Sequence, residues 1–457
     1  MQVAHLRFLA GNSNIAFYPC PFRVETDLGG KFLNQMSGES KPEAGRNLRV
    51  LAAGFVGNIL EWYDFAVYGF FAATIGNLFF PSTDPATSLI ASFGAFAAGF
   101  LMRPVGAILF GHVGDLIGRK KALTLSVMMM AIPTFLVGLL PTYEHIGLAA
   151  AALLVLLRMI QGVSVGGEYT SSFIFLVEHA PEHRRGFFGS WSLIGASGGI
   201  MLGSAIGALI TSLTTEAELA AWGWRIPFLS GVIVGLIGLI IRRGIPEPPV
   251  SDKPHGSPLL EAVTKSWKGL LQAVGLNMMG AVTFYTIFIY MTTWLVNQVG
   301  ETRTEALEIN TFSMIVLAIV VPIAALLSDR IGRKPFILLG SSGIAVFGYP
   351  LVWLMHHPDY TMILLGQIGF AVLLGTFSGV IPVTMAELFP RGVRVSAASL
   401  SYNLPYALFG GTAPMVAAWL VSESHDAMAI SWYVTGIALF TFLVSLTVYE
   451  TRGSRLD

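Results

Sequence analysis

Residues 111–120 read Gly-His-Val-Gly-Asp-Leu-Ile-Gly-Arg-Lys, and residues 325–334 read Ala-Leu-Leu-Ser-Asp-Arg-Ile-Gly-Arg-Lys. Each stretch follows a long apolar segment, and both contain the pattern Asp-x-x-Gly-Arg-Lys. A second pair has matching internal spacing: Glu178-x-x-Pro-x-x-x-Arg185 recurs as Glu387-x-x-Pro-x-x-x-Arg394. Two motif pairs at equivalent places indicate that the chain contains a duplicated unit.

The composition places this duplicated unit in a membrane. Hydrophobic residues make up 54% of the 457-residue chain and charged residues 12%, about half the share that is usual in soluble proteins. The net charge is zero, so no nucleic-acid partner is indicated. The single cysteine, Cys20, excludes a disulfide framework or a cysteine metal site.

Twelve apolar segments are long enough to cross the bilayer, because about 20 residues of helix span its hydrocarbon core. They cover approximately residues 50–80, 88–111, 121–141, 146–177, 187–213, 224–242, 269–298, 306–328, 335–355, 360–387, 395–421 and 428–449. The predicted fold is therefore an all-α polytopic membrane protein with twelve transmembrane helices in two six-helix halves. The expected segments are an N-terminal tail (1–46), the first half (47–242), a linker (243–268), the second half (269–450) and a C-terminal tail (451–457).

The N-terminal tail has no long apolar core and is predicted to be neither a signal peptide nor a helix. The sequence from Met36 resembles an ordinary cytoplasmic leader. Two interpretations are open: translation starts at Met36 and residues 1–35 are an upstream extension, or the whole tail is a genuine disordered segment.

The short loops are charged asymmetrically. Most lysines and arginines fall on one side, among them Arg119 and Arg333, whereas acidic residues such as Asp84 and Asp359 dominate the other. Because positive loops remain inside, we expect both termini and the linker to be cytoplasmic, in a plasma or bacterial inner membrane.

The loop motifs resemble those of the major facilitator superfamily, and four further strings resemble its metabolite:proton symporter branch. The strings are Gly57-Asn-Ile-Leu-Glu-Trp-Tyr-Asp-Phe65, Phe100-Leu-Met-Arg-Pro-Val-Gly106, Arg158-Met-Ile-Gln-Gly-Val-Ser-Val-Gly-Gly-Glu-Tyr169 and Trp222-Gly-Trp-Arg-Ile-Pro-Phe228. That branch includes proline/betaine, α-ketoglutarate, citrate, shikimate and dicarboxylate permeases. The resemblance implies the major facilitator fold and, for Ser164–Trp191, is strongest to the proline/betaine members.

Four ionisable residues are predicted to lie near mid-membrane in the first half: Glu61, Asp64, Arg103 and Arg158. Such groups are costly in a bilayer and are functional candidates by default. Two interpretations are open. The acids and arginines neutralise each other structurally, or an arginine binds the carboxylate of a solute while an acid carries the coupling proton.

Further candidates complete the predicted site. Glu168 is a third proton-coupling candidate beside Glu61 and Asp64, or it pairs with a loop arginine. Tyr285 and Tyr290 offer aromatic walls and hydroxyls to a solute, although such residues more often serve packing. The predicted solute-binding set is Arg103, Arg158, Tyr285, Tyr290, Gln367 and Asn403, the amides having interhelical hydrogen bonding as their alternative role.

The repeated loops are predicted to form a gate that makes and breaks ion pairs as the transporter changes state. The alternative is that their charges only fix the topology. The predicted gating residues are Asp115, Gly118, Arg119, Glu178, Arg185, Asp329, Arg333, Glu387 and Arg394. Gly195, Gly199, Gly203 and Gly207 recur every four residues and predict a tight helix contact between the halves.

These observations predict a proton-coupled symporter of a small carboxylate-bearing metabolite, either an organic acid or a zwitterion such as proline or betaine. The alternatives are a transport-inactive receptor or sensor, and an antiporter or facilitator of this fold. We expect no enzymatic activity and no cofactor, with the proton gradient as driving force. The expected partners are the solute, the proton and the lipid bilayer, and the protein is expected to work as a monomer.

Overall fold

The structure is a computed structural model that describes residues 58–59, 61–117, 119–166, 168–233, 235–237, 258–454 and 456. The side chains of residues 111–117, 119–123, 168 and 258–259 lie outside this description. The N-terminal tail 1–46, with its two interpretations, lies outside the described residues as well.

The described chain is helical, with no strand among its described residues. Ten helices are long and apolar enough to cross a membrane, and a shorter apolar helix (α3) and the helix that precedes Asp84 (α1) bring the total to the predicted twelve. In chain order they are α1 (61–70 and Ala72–Phe79), α2 (Pro85–Phe110), α3 (Arg119–Leu139), α4 (Leu148–Glu178), α5 (Glu182–Leu213), α6 (Glu216–Ile237), α7 (Trp267–Val299), α8 (Arg303–Ile331), α9 (Lys334–Met355), α10 (Tyr360–Leu388), α11 (Arg394–Ser424) and α12 (Ala429–Thr447).

Several helices begin at side-chain caps encoded in the short loops. Asp84 accepts hydrogen bonds from the backbone N–H groups of Ala86 and Thr87 at the start of α2. At the start of α8, Thr302 and Glu305 form a capping box. These caps satisfy backbone donors that have no partner within the helix, which explains why the helices start where the apolar runs do.

The helix α2 is interrupted at the position of a candidate charge. Its first part ends at Leu101, and the helix resumes at Arg103, immediately before Pro104. Proline has no backbone N–H to donate and its ring crowds the preceding turn, so the interruption follows from the sequence. It places Arg103 at a break in the middle of the bundle.

Close contact between α2 and α4 brings two arginines into the same layer. A Cβ atom on Gly162 would lie 1.7 Å from the carbonyl oxygen of Gly99, and one on Gly106 would lie 1.9 Å from that of Val163. Only glycine permits this approach of the two backbones. Arg103 of α2 and Arg158 of α4 both reach Phe65, with guanidinium carbons 5.1 and 4.7 Å from the centre of its ring.

The glycine ridge of α5 contacts two different helices. Gly199 packs against the backbone of α1, where an added Cβ would lie 2.9 Å from the backbone nitrogen of Tyr63. Gly207 packs against Leu307 of α8. The predicted contact between halves thus holds for the end of the ridge at Gly207, whereas Gly199 packs inside the first half, against α1. The contact between halves continues through the Ser204 hydroxyl, which donates to the carbonyl oxygen of Leu307 at 2.8 Å.

Gly199→Ala is expected to destabilise the protein by about 1–3 kcal/mol, because the new methyl group overlaps backbone atoms that cannot rotate away. Gly198→Ala is the matched control, since its Cβ would meet only the Ile59 side chain at 3.6 Å. Thermal unfolding of the two purified variants should differ clearly. Equal unfolding temperatures would contradict the packing argument.

The linker contains one described helix, Pro258–Lys265. It begins at the last proline of the Lys253–Pro258 stretch, and proline is favoured in the first helical turn. Residues 243–257 lie outside the described chain.

Candidate solute and proton site

Arg103 is buried between the two halves and is only loosely paired. Its Nη2 lies 3.9 Å from Glu61 Oε1, and the arginine is 1% exposed. Its Nε and Nη2 atoms have no hydrogen-bond partner among the described residues. The guanidinium carbon lies 4.1 Å from the ring centre of Phe100 and 5.5 Å from that of Trp62. The arginine therefore retains donors that a carboxylate can use.

Arg158 and Asp64 form a much tighter pair. Arg158 Nη1 donates to Asp64 Oδ2 at 2.7 Å and to Gln161 Oε1 at 2.8 Å. Gln161 in turn donates to Thr134 of α3. The other donors of Arg158, Nε and Nη2, have no hydrogen-bond partner among the described residues, and its guanidinium lies over the ring of Tyr68 at 4.5 Å. This pair belongs to the interior of the first half.

The two arginines therefore face different environments, although both lie in the predicted mid-membrane layer. Arg103 is within electrostatic reach of the hydroxyls of Tyr285 on α7 and of Tyr402 and Tyr406 on α11. Arg158 donates its hydrogen bonds to α1 and within α4, and Gln161 extends this network to α3. Of these two arginines, only Arg103 therefore reaches residues of the second half.

Aromatic rings from both halves continue from Arg103 in one cluster. Trp62 stacks on Tyr285 with ring centres 6.3 Å apart and contacts Tyr169 edge-on at 6.0 Å. Tyr169 stacks on Tyr402 at 4.7 Å, and Tyr402 on Tyr406 at 4.1 Å. The sequence singled out Tyr285, but Trp62, Tyr169 and Tyr402 were missed because a ring in a transmembrane helix carries no mark of the face on which it lies.

The other predicted solute-binding residues lie elsewhere. Gln367 donates to the Ile287 carbonyl and to Asn310 Oδ1, so its amide ties α10 to α7 and α8. Asn403 donates to the Gly166 carbonyl at 2.7 Å, across the contact between α11 and α4. Tyr290 is buried against the ring of Phe93. The structure joins none of these three to Arg103, and the side chain of Glu168 is outside the description.

The second-half loop motif closes one end of the bundle, which we call the motif end. Asp329 accepts backbone hydrogen bonds from Gly186 and Phe187, at 2.8 and 3.0 Å, and an Arg333 hydrogen bond at 2.7 Å. The two backbone donors belong to the first turns of α5, where the helix dipole favours an anion. Asp329 thus binds a helix start of the first half and an arginine of the second, and it links the two halves.

The remaining gate residues extend this network. Arg333 also bonds both oxygens of Glu387 at 3.2 Å, and Arg394 Nη1 donates to Glu178 across the halves. Arg185 donates to the carbonyl oxygen of Ser454 at 2.9 Å. The corresponding first-half residues, Asp115, Gly118 and Arg119, have side chains or positions outside the described part of the chain.

The segment after α12 contributes gate residues that the sequence did not reveal. The buried Thr451 donates to Glu387 Oε2 at 2.9 Å. Glu450 accepts from the backbone N–H groups of Arg333 and Lys334 at the start of α9. Burial raises the pKa of Glu450, but these bonds and one from the backbone N–H of Arg452 outweigh it and hold the pKa below its ordinary value. The only sequence signal was an acid and a threonine directly after the last apolar run.

The halves also meet at the opposite end of the bundle. Arg303 Nη1 donates to Thr74 Oγ1 at 2.6 Å, and Thr211 and Thr304 share a hydrogen bond of 3.0 Å. Contacts at both ends enclose the layer that contains Arg103. An enclosed charged layer between two helical halves is the arrangement of a transporter that exposes its site to each side in turn.

The chain matches the protein family described as "Sugar (and other) transporter" over residues 50–251 and 253–457. It is 38% identical over 427 residues to the glycine betaine/proline/ectoine/pipecolic acid transporter of Dickeya dadantii, covering 90% of this chain and 85% of the relative. It is 36% identical over 417 residues to the α-ketoglutarate permease of Escherichia coli, covering 90% of this chain and 96% of that permease.

Solved structures agree on the fold. The partially occluded inward-open structure of the E. coli xylose transporter superposes with a TM-score of 0.73 at 18% identity, over 90% of this chain and 99% of the other. A crystal structure of a D-xylose–proton symporter superposes with a TM-score of 0.72 at 19% identity, again over 90% of this chain and 99% of the other.

Fold and site thus define an integral membrane transporter with the major facilitator fold. The chain belongs to the sugar (and other) transporter family, and its relatives include proline/betaine transporters and an α-ketoglutarate permease. The family and the fold expected from the sequence are confirmed.

Proposed function

We propose that this protein is a proton-coupled symporter of a small zwitterion whose carboxylate is bound by Arg103. The observation that carries the proposal is the loose 3.9 Å contact between Arg103 and Glu61, beside buried guanidinium donors without a partner among the described residues. A carboxylate that accepts two of these hydrogen bonds would satisfy them with the planar geometry that arginine favours.

Arg103 is the one described arginine beside the aromatic cluster, and a single cation there favours a solute with one carboxylate. The aromatic cluster beside Arg103 contributes hydroxyls and ring faces but no second cation. A dicarboxylate would leave one buried anion without a partner, which costs free energy. Glycine betaine and proline, for which the Dickeya relative is named, fit this requirement. Organic acids are the second candidate, because the relatives include an α-ketoglutarate permease.

The Asp64–Arg158 pair supplies the proton step of the proposal. In this proposal Asp64 takes up the coupling proton when its ion pair with Arg158 separates and gives the proton up when the pair forms again. Solute binding at Arg103 and protonation at Asp64 are linked through α1 and α2, which carry these two residues and Glu61. Glu61, three residues from Asp64, would be released when the solute occupies Arg103, and it is the second proton candidate.

Alternating access follows from the two closed ends. We assign the motif end to the cytoplasm, because the basic loops lie there and positive loops remain inside; both termini and the linker are then cytoplasmic. Opening toward the cytoplasm must break the Asp329 contact with α5 and the Glu178–Arg394 pair. The transporter is proposed to work as a monomer in the plasma or bacterial inner membrane, without a cofactor and without enzymatic activity.

Uptake by proteoliposomes tests the proposed function. Radiolabelled glycine betaine, proline and 2-oxoglutarate are offered under an imposed pH gradient, acidic outside. We expect the two zwitterions to accumulate above equilibrium, with accumulation abolished by a protonophore, and 2-oxoglutarate to accumulate little. Uptake that ignores the pH gradient would refute proton coupling, and preferential uptake of 2-oxoglutarate would refute the zwitterion.

Weakening the gate is expected to open the motif end. Asp329→Asn removes the charge that holds the backbone donors of α5, and a hydrogen bond to a charged group contributes about 1.5–3 kcal/mol. In a Cys20→Ser background that carries Ser378→Cys between the halves, a membrane-impermeant thiol reagent on inside-out vesicles should react about tenfold faster.

The matched control for the gate is Glu261→Gln. It breaks the exposed Glu261–Lys265 pair of the linker helix, and exposed pairs contribute about 0–1 kcal/mol. If Asp329→Asn and Glu261→Gln gave the same labelling rate, Asp329 would not hold the gate.

A further inference from the structure

A small cavity lies between the halves, next to the aromatic cluster and on its motif-end side. It has a volume of about 30 Å³ and is lined only by uncharged side chains. Rings from both halves form much of its wall. The first half supplies Tyr169 and Phe173, and the second half supplies Phe284, Phe377, Tyr402 and Tyr406. A wall of aromatic faces without an anion is the environment that binds alkylated ammonium groups through cation–π contacts.

The cavity and Arg103 have neighbours in common. Tyr402 and Tyr406 line the cavity, and their hydroxyls are also within electrostatic reach of Arg103. The ring centre of Trp62 lies 5.5 Å from the guanidinium carbon of Arg103. The same ring contacts Tyr169 and Phe284 of the cavity wall edge-on, with ring centres 6.0 and 6.2 Å apart. A short zwitterion can therefore present its carboxylate to Arg103 and its other end to the cavity.

Gly280 of α7 limits the size of this cavity. A Cβ atom built on Gly280 would lie 3.5 Å from the Tyr406 hydroxyl and 3.9 Å from the Phe377 ring. Both are ordinary van der Waals distances, so alanine fits the protein at this position. Its methyl group would nevertheless take up cavity space, and a volume of about 30 Å³ is room for roughly one water molecule.

We propose that the aromatic cavity is a second solute subsite that seats an alkylated ammonium group, and that Gly280 determines how many alkyl groups it accepts. The inference rests on the proposed function, because it needs a solute whose carboxylate is held at Arg103. It goes beyond the proposed function in two respects. It specifies an alkylated ammonium group at the other end of the solute, and it names Gly280 as the residue that selects for that group. Since the cavity is small in the enclosed state, the trimethylammonium group is seated as the second half, which supplies four of these rings, moves slightly outward.

The first experiment compares Gly280→Ala with Gly269→Ala in proteoliposomes. Gly269 lies on the same helix, and its Cβ would likewise make only ordinary contacts, the nearest at 3.5 Å from Phe389, but it does not line the cavity. Each variant is given glycine betaine and sarcosine, which differ by two methyl groups. The ratio of their uptake rates is independent of the amount of folded protein.

We expect Gly280→Ala to lower the betaine-to-sarcosine ratio at least about tenfold, because the added methyl group competes directly with the substrate's own. Gly269→Ala should keep the wild-type ratio. An unchanged ratio in Gly280→Ala would overturn the inference while leaving the proposed function intact. Failure of the wild type to take up either compound would instead refute the proposed solute class.

The second experiment tests the aromatic wall and does not depend on Gly280. Glycine betaine is compared with 3,3-dimethylbutanoate, a carboxylate of the same shape whose central atom is uncharged carbon. Phe284→Leu keeps an apolar side chain and removes a ring face. We expect it to lower the preference for glycine betaine over 3,3-dimethylbutanoate several-fold, as loss of one cation–π contact predicts. An unchanged preference would show that the cavity selects by shape alone and would overturn the ammonium assignment.

Discussion

Arg103→Gln is expected to raise the KM for the zwitterion at least about thirtyfold, with a smaller effect on the maximal rate. Removing one partner of a buried, hydrogen-bonded charge pair costs about 2–5 kcal/mol, and Arg103 is the one described cation that faces the second half's tyrosines. The concentration dependence of uptake in proteoliposomes measures the effect. Arg103→Lys should recover part of it, since lysine keeps the charge but not the planar pair of donors.

Measuring thermal stability together with KM distinguishes a loss of solute binding from a loss of folding in the Arg103 variants. Glutamine removes a positive charge that lies only 3.9 Å from Glu61, so the thermal stability of each variant should be measured beside its KM. Lys265→Gln on the linker helix is the surface control, because Lys265 is exposed and pairs only with Glu261. A wild-type KM in a folded Arg103→Gln variant would remove Arg103 from the solute site.

Asp64→Asn is expected to abolish accumulation driven by a pH gradient and to preserve exchange of solute across the membrane. Asparagine cannot carry the proton, but it has nearly the same shape and its carbonyl oxygen can still accept the hydrogen bond of Arg158. Exchange of labelled for unlabelled solute needs no net proton movement, so it should continue. The two assays on the same vesicles measure coupling and transport separately.

Glu61→Gln is the matched comparison, because it removes the other acid of the same helix face. If Asp64 carries the proton, Glu61→Gln keeps pH-driven accumulation and changes mainly the apparent affinity at Arg103. Accumulation that persists in Asp64→Asn and is lost in Glu61→Gln would assign the proton to Glu61. Leaving Arg158 buried without its anion costs about 3–5 kcal/mol, so exchange also reports whether Asp64→Asn is folded.

The membrane fold was predictable because the features that indicate it are continuous stretches of sequence: long apolar spans and short repeated loop motifs. A span of about 20 apolar residues follows from the thickness of the bilayer, and the repeated Asp-x-x-Gly-Arg-Lys loops mark equivalent positions in the halves. The glycine ridge was predicted only in part. Its spacing shows that one face of α5 is small, but which helix covers Gly199 depends on how α1 packs.

The candidate site was also predictable only in part. Its four charges are visible in the sequence, since ionisable residues inside apolar runs are rare and expensive. Their pairing is not visible, because Glu61 and Asp64 share a helix face and either could reach either arginine. Gln367 and Asn403 likewise read as solute ligands or as interhelical bonds until their carbonyl partners are known.

By itself the sequence therefore determined the twelve spans, the duplication, the family and the buried charges, because hydrophobic length, charge and motif spacing are properties of the chain. Only the tertiary structure decided that Asp64 bonds Arg158 at 2.7 Å while Glu61 lies 3.9 Å from Arg103. The aromatic cavity and the gate contacts of Thr451 were also decided there. The physical reason is that pairing and enclosure depend on the rotation and separation of helices far apart in the chain, which interhelical packing fixes.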